Sequence, residues 1–179
     1  MLNEVVGVLC IIPIYMFCFV IALKRKLTVQ KHVLLLLFCG YLGLVIAVTL
    51  FPFPIQKEVI MENKQYNFLY NNFIPFKGII EVISTGDLNV MVRNIFGNIL
   101  LTLPLGYLLP LMLNKIANIK SIFSIGLFFS IGIESIQFIL SAILGYTYKI
   151  TDVDDIILNV TGASIGYICF KLTELLFKR

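Results

Sequence analysis

Ile150–Tyr167, ITDVDDIILNVTGASIGY, is the stretch whose reading decides the fold. It opens with the carboxylates Asp152, Asp154 and Asp155, passes through Asn159, and closes with Gly162-x-x-x-Gly166 inside an apolar run. Residues three or four apart lie above one another on a helix, so Asp152, Asp155, Asn159, Gly162 and Gly166 draw one stripe. Acids and a carboxamide pointed at lipid are expensive. The stripe therefore faces other helices or a water-filled cavity, and an ionisable group in such a segment is a candidate functional group.

The rest of the chain agrees that the solvent is a bilayer. Of 179 residues, 59% are hydrophobic and 13% charged, and the mean hydropathy is +0.97. That leaves too little polar surface for a soluble domain. Apolar runs at residues 5–23, 33–51, 95–113, 121–144 and 156–177 each approach the roughly 20 residues that cross a bilayer core. The expected fold is all-α, a polytopic membrane bundle of about five transmembrane helices. A mixed polar and apolar stretch between Lys77 and Val92 predicts a short interfacial helix or two in the outer loop. Pro13 lies inside the first run and predicts a kink there. The organisation expected is an N-terminal helical pair with the start of the outer loop (1–66), the main domain (67–172) and a basic tail (173–179).

Charge placement orients the bundle. The net charge is +4, and the cations gather at Lys24, Arg25, Lys26 and Lys31, at Lys115 and Lys120, and at Lys178 and Arg179. Short loops rich in Lys and Arg stay cytoplasmic, which puts the N-terminus outside and the C-terminus inside a multi-pass cell-membrane protein. The acidic turn at Asp152–Asp155 then faces the exterior. No positive charge precedes the first apolar run, so that run is expected to remain as a helix and not to be cleaved. Cys10, Cys18, Cys39 and Cys169 form no C-x-x-C pair and predict reduced packing residues. No metal, cofactor or nucleic-acid partner is expected, and the oligomeric state is left open.

Two further stripes accompany the first. Asn94, Asn98, Thr102 and Gly106 repeat every four residues, and Gly126, Ser130, Glu134, Gln137 and Ser141 do nearly the same. At about 1.5 Å per residue, Glu134 lies roughly 15 Å from the Leu144 end of its helix, near mid-membrane, while Asn98 and Asn159 lie about a turn deep. The three stripes predict an outward-open funnel with Glu134 at its floor. The structural alternative is interhelical hydrogen bonding by the amides, close packing at Gly162 and Gly166, and a Glu134–Arg93 pair.

Asn72-x-x-Pro75-Phe76, Asn98-x5-Pro104-x-Gly106, Glu134-x-x-Gln137 and Asp152-x-x-Asp155-x3-Asn159-x-x-Gly162 occur in this order. With them the sequence resembles the VanZ-like family, named for a teicoplanin-resistance protein, over about residues 67–172. The resemblance implies a link to glycopeptide (teicoplanin-type) antibiotic susceptibility or cell-envelope homeostasis, with a lipid-linked cell-wall precursor or the glycopeptide itself as partner. Two mechanisms follow from the residues. In the first, Asn98, Glu134, Gln137, Asp152, Asp155 and Asn159 bind an envelope ligand without catalysis. In the second, the protein is a hydrolase or transferase acting on a lipid-linked precursor. There Glu134 and Asp155 serve as the candidate catalytic acid and base, or join Asp152 in holding a divalent ion. No Ser-His or Cys-His nucleophile and no Walker-type loop is present, and binding is the favoured reading.

Overall fold

Four helices of the computed structural model are long and apolar enough to cross a membrane: Val29–Leu50, Leu88–Met112, Ile119–Leu144 and Val153–Phe177. The structure describes residues 2–9, 11–24, 28–66, 70–113 and 118–177. Among these, the helices are α1 (Glu4–Leu9), α2 (Ile12–Lys24), α3 (Val29–Leu50), α4 (Lys57–Tyr66), α5 (Lys77–Ser84), α6 (Leu88–Met91), α7 (Gly97–Met112), α8 (Ile119–Leu144) and α9 (Val153–Phe177). A π-helical turn, Val92–Phe96, joins α6 to α7. The described residues contain no strand, only two isolated backbone bridges, so the fold is an all-α membrane bundle.

The chain divides into two compact units, residues 1–66 and 67–179. In the first, α1 lies against α3 at Gly7, where an added Cβ would stand 2.8 Å from Ala47 Cα. The first apolar run departs from one continuous span, because it forms two short helices. At 13 residues, α2 reaches only about 20 Å, short of a bilayer core of roughly 30 Å. The break falls ahead of Pro13, which sits in the first turn of α2. There its missing N–H leaves no bond unmade, so no interior kink results. Cys18, Cys39 and Cys169 are free thiols, and Cys10 lies outside the described residues.

In the second unit α7 and α9 approach at backbone distance. A Cβ on Gly162 would stand 2.1 Å from Ile99 O, one on Gly166 would stand 2.0 Å from Leu103 O, and one on Gly106 would stand 1.8 Å from Ala163 O. Glycines on both helices let the main chains touch, the device of small-residue packing in membranes. The α8 stripe is buried from Gly126 to Ser141, with Gly126 facing Ala163. Of the two short helices foreseen between Lys77 and Val92, α5 stands alone and α6 runs through the π turn into the span of α7.

Candidate functional site

The site forms where residues 70–79 meet residues 147–155. Asn72 N donates to Thr151 O at 2.9 Å, and Val153 N donates to Asn72 O at 2.9 Å, a parallel bridge between Asn72 and Asp152. The buried Asn72 side chain donates to Asp152 Oδ1 at 2.8 Å and accepts from Ile74 N at 3.1 Å. Asn71 Oδ1 accepts from Thr151 N at 3.2 Å. The Asn71-Asn72 pair is thus a clamp on the start of α9, and the exposed Phe73 and Phe76 beside it are its rim.

Asp152 precedes α9 by one residue. Its Oδ1 accepts from Asp154 N at 2.8 Å, so it caps the helix instead of continuing the helical stripe. Burial pushes its carboxyl above the ordinary range, against the pull of hydrogen bonds from Asp154 N and Asn72. Asp154 is 2% exposed. It accepts from Phe76 N through Oδ1 and from Ile79 N through Oδ2 at 3.1 Å, with Asn72 Nδ2 at 3.5 Å. Those amides open α5, so Asp154 satisfies helix-end donors that would otherwise lack partners. It also holds Phe76 at φ +66°, a conformation that costs a non-glycine residue of order 1–3 kcal/mol. Asp155 is half-buried and accepts from Asn98 Nδ2, which also reaches Asn94 O at 2.9 Å.

Glu134, 4% exposed, accepts from Asp152 N through Oε2 at 2.9 Å. The residue roughly 15 Å along α8 from Leu144 thereby meets the N-terminus of α9 directly. The descending segment is pinned on its way: Ser141 Oγ donates to Lys149 O at 3.1 Å and accepts from Tyr148 N at 3.2 Å. Farther in, Asn159 Nδ2 donates to Ser130 Oγ at 2.8 Å and Thr102 Oγ1 donates to Asn159 O at 2.6 Å. Gln137 is buried on the same face of α8.

Two cavities flank this turn. One, of about 250 Å³, is lined by Asp152, Asp154, Asp155, Glu81 and Asn94, with Gly78 in its wall. A Cβ on Gly78 would stand 2.8 Å from Asp152 Oδ2. The other, of about 420 Å³, is lined by Glu134, Thr151 and Ser135 with Phe138, Ile139 and Phe73. Asn98, Gln137 and Asn159 line neither. The single funnel with Glu134 at its floor therefore becomes two openings, and the amides from the three stripes sit between helices.

Two further expectations change. Among the described residues no three carboxylate, His or Cys side chains are placed to hold a metal ion. Asp152 and Asp154 already accept backbone N–H groups, and Glu134 opens the other way. The Glu134–Arg93 pair does not form either: Arg93 is exposed on the π turn, and the ion pairs among the described residues are Lys77–Glu81 and Lys171–Glu174. Sequence reasoning passed over Asp154 as a site residue. Its signal was its position off the acidic stripe of an apolar helix, where a carboxylate needs a dedicated partner.

A bundle with spans of 22, 25, 26 and 25 residues, in which Glu134, Asp152, Asp154 and Asp155 are gathered and hydrogen-bonded at the start of one helix, defines a polytopic helical membrane protein with a carboxylate–amide site. The family model described as VanZ/LLP1 matches residues 38–176, and the chain belongs to that family. No curated protein and no solved structure matches it.

Proposed function

We propose that this VanZ-like membrane protein binds, without catalysis, the polar part of a cell-envelope ligand in the acidic cavity. Through that binding it lowers susceptibility to teicoplanin-type glycopeptides. The observation that carries the reading is the cavity lined by Asp152, Asp155 and Glu81. Carboxylates held at fixed positions select an ammonium or a hydroxyl-rich group. At about 250 Å³ the cavity falls below the ~300–1,000 Å³ usual for whole small-molecule ligands, which suits a headgroup or one sugar, not a complete lipid. The placement of Lys and Arg supports an exterior position for this cavity, on the side where lipid-linked cell-wall precursors and glycopeptides meet. An acid–base pair of Glu134 and Asp155 is less well supported, because the two side chains line different cavities.

The test compares teicoplanin susceptibility of cells producing the wild type, Asp152→Asn and Asp155→Asn at matched membrane levels. Protection by the wild type and its loss in both variants is the expected outcome. Full protection by both variants overturns the site. Chemical conversion of a purified lipid-linked precursor by the protein would replace binding with catalysis.

A further inference from the structure

The second cavity is a different kind of place. Its walls come from membrane-length helices: Ile131, Phe138 and Ile139 belong to α8 and Ile156 belongs to α9. Ile131, Phe138 and Ile139 are 40%, 45% and 53% exposed, so in a bilayer their free surface is covered by lipid chains. The cavity is nevertheless not uniformly greasy. Glu134 lines it while nine-tenths and more buried, and its one hydrogen bond among the described residues, from Asp152 N, is made by Oε2, which leaves Oε1 for another donor. Thr151 lines it too, is 7% exposed, and its hydroxyl has no hydrogen-bond partner among the described residues. An unpaired buried hydroxyl carries a desolvation cost that a ligand would relieve.

We infer that this groove is a lateral lipid site: one hydrocarbon chain lies along Ile131, Phe138 and Ile139, and a hydrogen-bond-donating head, ammonium or hydroxyl, meets Glu134 and Thr151. Three features select a lipid over other occupants. The groove opens on the faces of spanning helices, its volume of about 420 Å³ is of ligand size, and its lining sets the polar Glu134, Ser135 and Thr151 among the apolar Phe73, Ile131, Phe138, Ile139 and Ile156. The matching partner is amphipathic, a hydrocarbon chain and a hydrogen-bond donor in one molecule. The carboxylate and hydroxyl accept from such a head, whereas a quaternary ammonium has no N–H and can meet them by charge alone, without a hydrogen bond. This site is separate from the acidic cavity and stands whether or not an envelope ligand binds there.

The test is native mass spectrometry of the purified full-length protein, titrated with phosphatidylethanolamine, diacylglycerol and phosphatidylcholine of identical chains. Retention of phosphatidylethanolamine or diacylglycerol at one copy per chain, about tenfold or more above phosphatidylcholine, supports the site. Which of the two is held tells ammonium from hydroxyl. Ile139→Trp, at the exposed rim, is expected to abolish that retention with the fold intact, and Thr151→Val to weaken it up to about tenfold. Equal retention of all three lipids, or undiminished retention by Ile139→Trp, overturns the inference. An unchanged response of Asp155→Asn is expected, since Asp155 lines the other cavity.

Discussion

At the residue scale the four acids divide by what they touch. Asp154 is the structural one: it is buried and holds two amides at the start of α5. Asp154→Ala leaves those donors without partners and is expected to cost about 3 kcal/mol, read as a lowered midpoint of thermal unfolding in detergent. Asp154→Asn, which keeps one acceptor, is expected to cost less. Asp152 supplies a pH dependence. Because burial raises its carboxyl, the folded chain holds that proton more tightly than the unfolded chain does. Its contribution to stability is complete below the ordinary value of 3.8 and is lost as pH rises through the higher folded value. Unfolding followed across the acidic range is expected to show this decline, and Asp152→Asn to flatten it. Asp155 and Glu134 line one cavity each.

At the scale of elements, the contact between α7 and α9 rests on the absence of side chains. Gly162→Ala would set a methyl 2.1 Å from Ile99 O, a distance that only moving one helix can relieve. The expected loss is about 1–3 kcal/mol, together with a displaced Asn98–Asp155 hydrogen bond. Gly132→Ala on α8, where nothing lies within 4 Å, is the control, expected to be neutral or to gain up to about 1 kcal/mol from helix propensity. Unfolding of the two variants side by side separates backbone contact from the general effect of a helical glycine. A similar loss at both positions would refute the close-packing account. The Gly-x-x-x-Gly spacing was visible in the sequence as a packing device, but which helix it met was not, because several spans offered a small or apolar face.

For the whole molecule the open prediction is its direction in the membrane. With the Lys and Arg clusters inside, Glu81→Cys in an otherwise cysteine-free chain is expected to react with a membrane-impermeant maleimide on intact cells. Lys120→Cys is expected to react only after permeabilisation. The reverse pattern would turn the acidic cavity to the cytosol and remove it from any extracellular ligand. The family match from residue 38 to 176 runs from within α3 to the end of α9, so the spanning helices and the acidic turn belong to one inherited unit of sequence.

The sequence by itself determined that this is a helical membrane protein, that its apolar runs from residue 33 onward are long enough to span, and that acids and amides lie in stripes. Those follow from composition and from the 3.6-residue period, which are local properties. Only tertiary structure decided what the stripes meet. Counting along α8 puts Glu134 well below the helix end, yet residues 145–152 fold back along Ser141 and deliver Asp152 N to its carboxylate. It likewise made Asp154 a cap for a helix 70-odd residues away, and divided one expected funnel into two cavities. The physical reason is that a buried polar group must find a partner, while sequence period fixes only the face on which it waits.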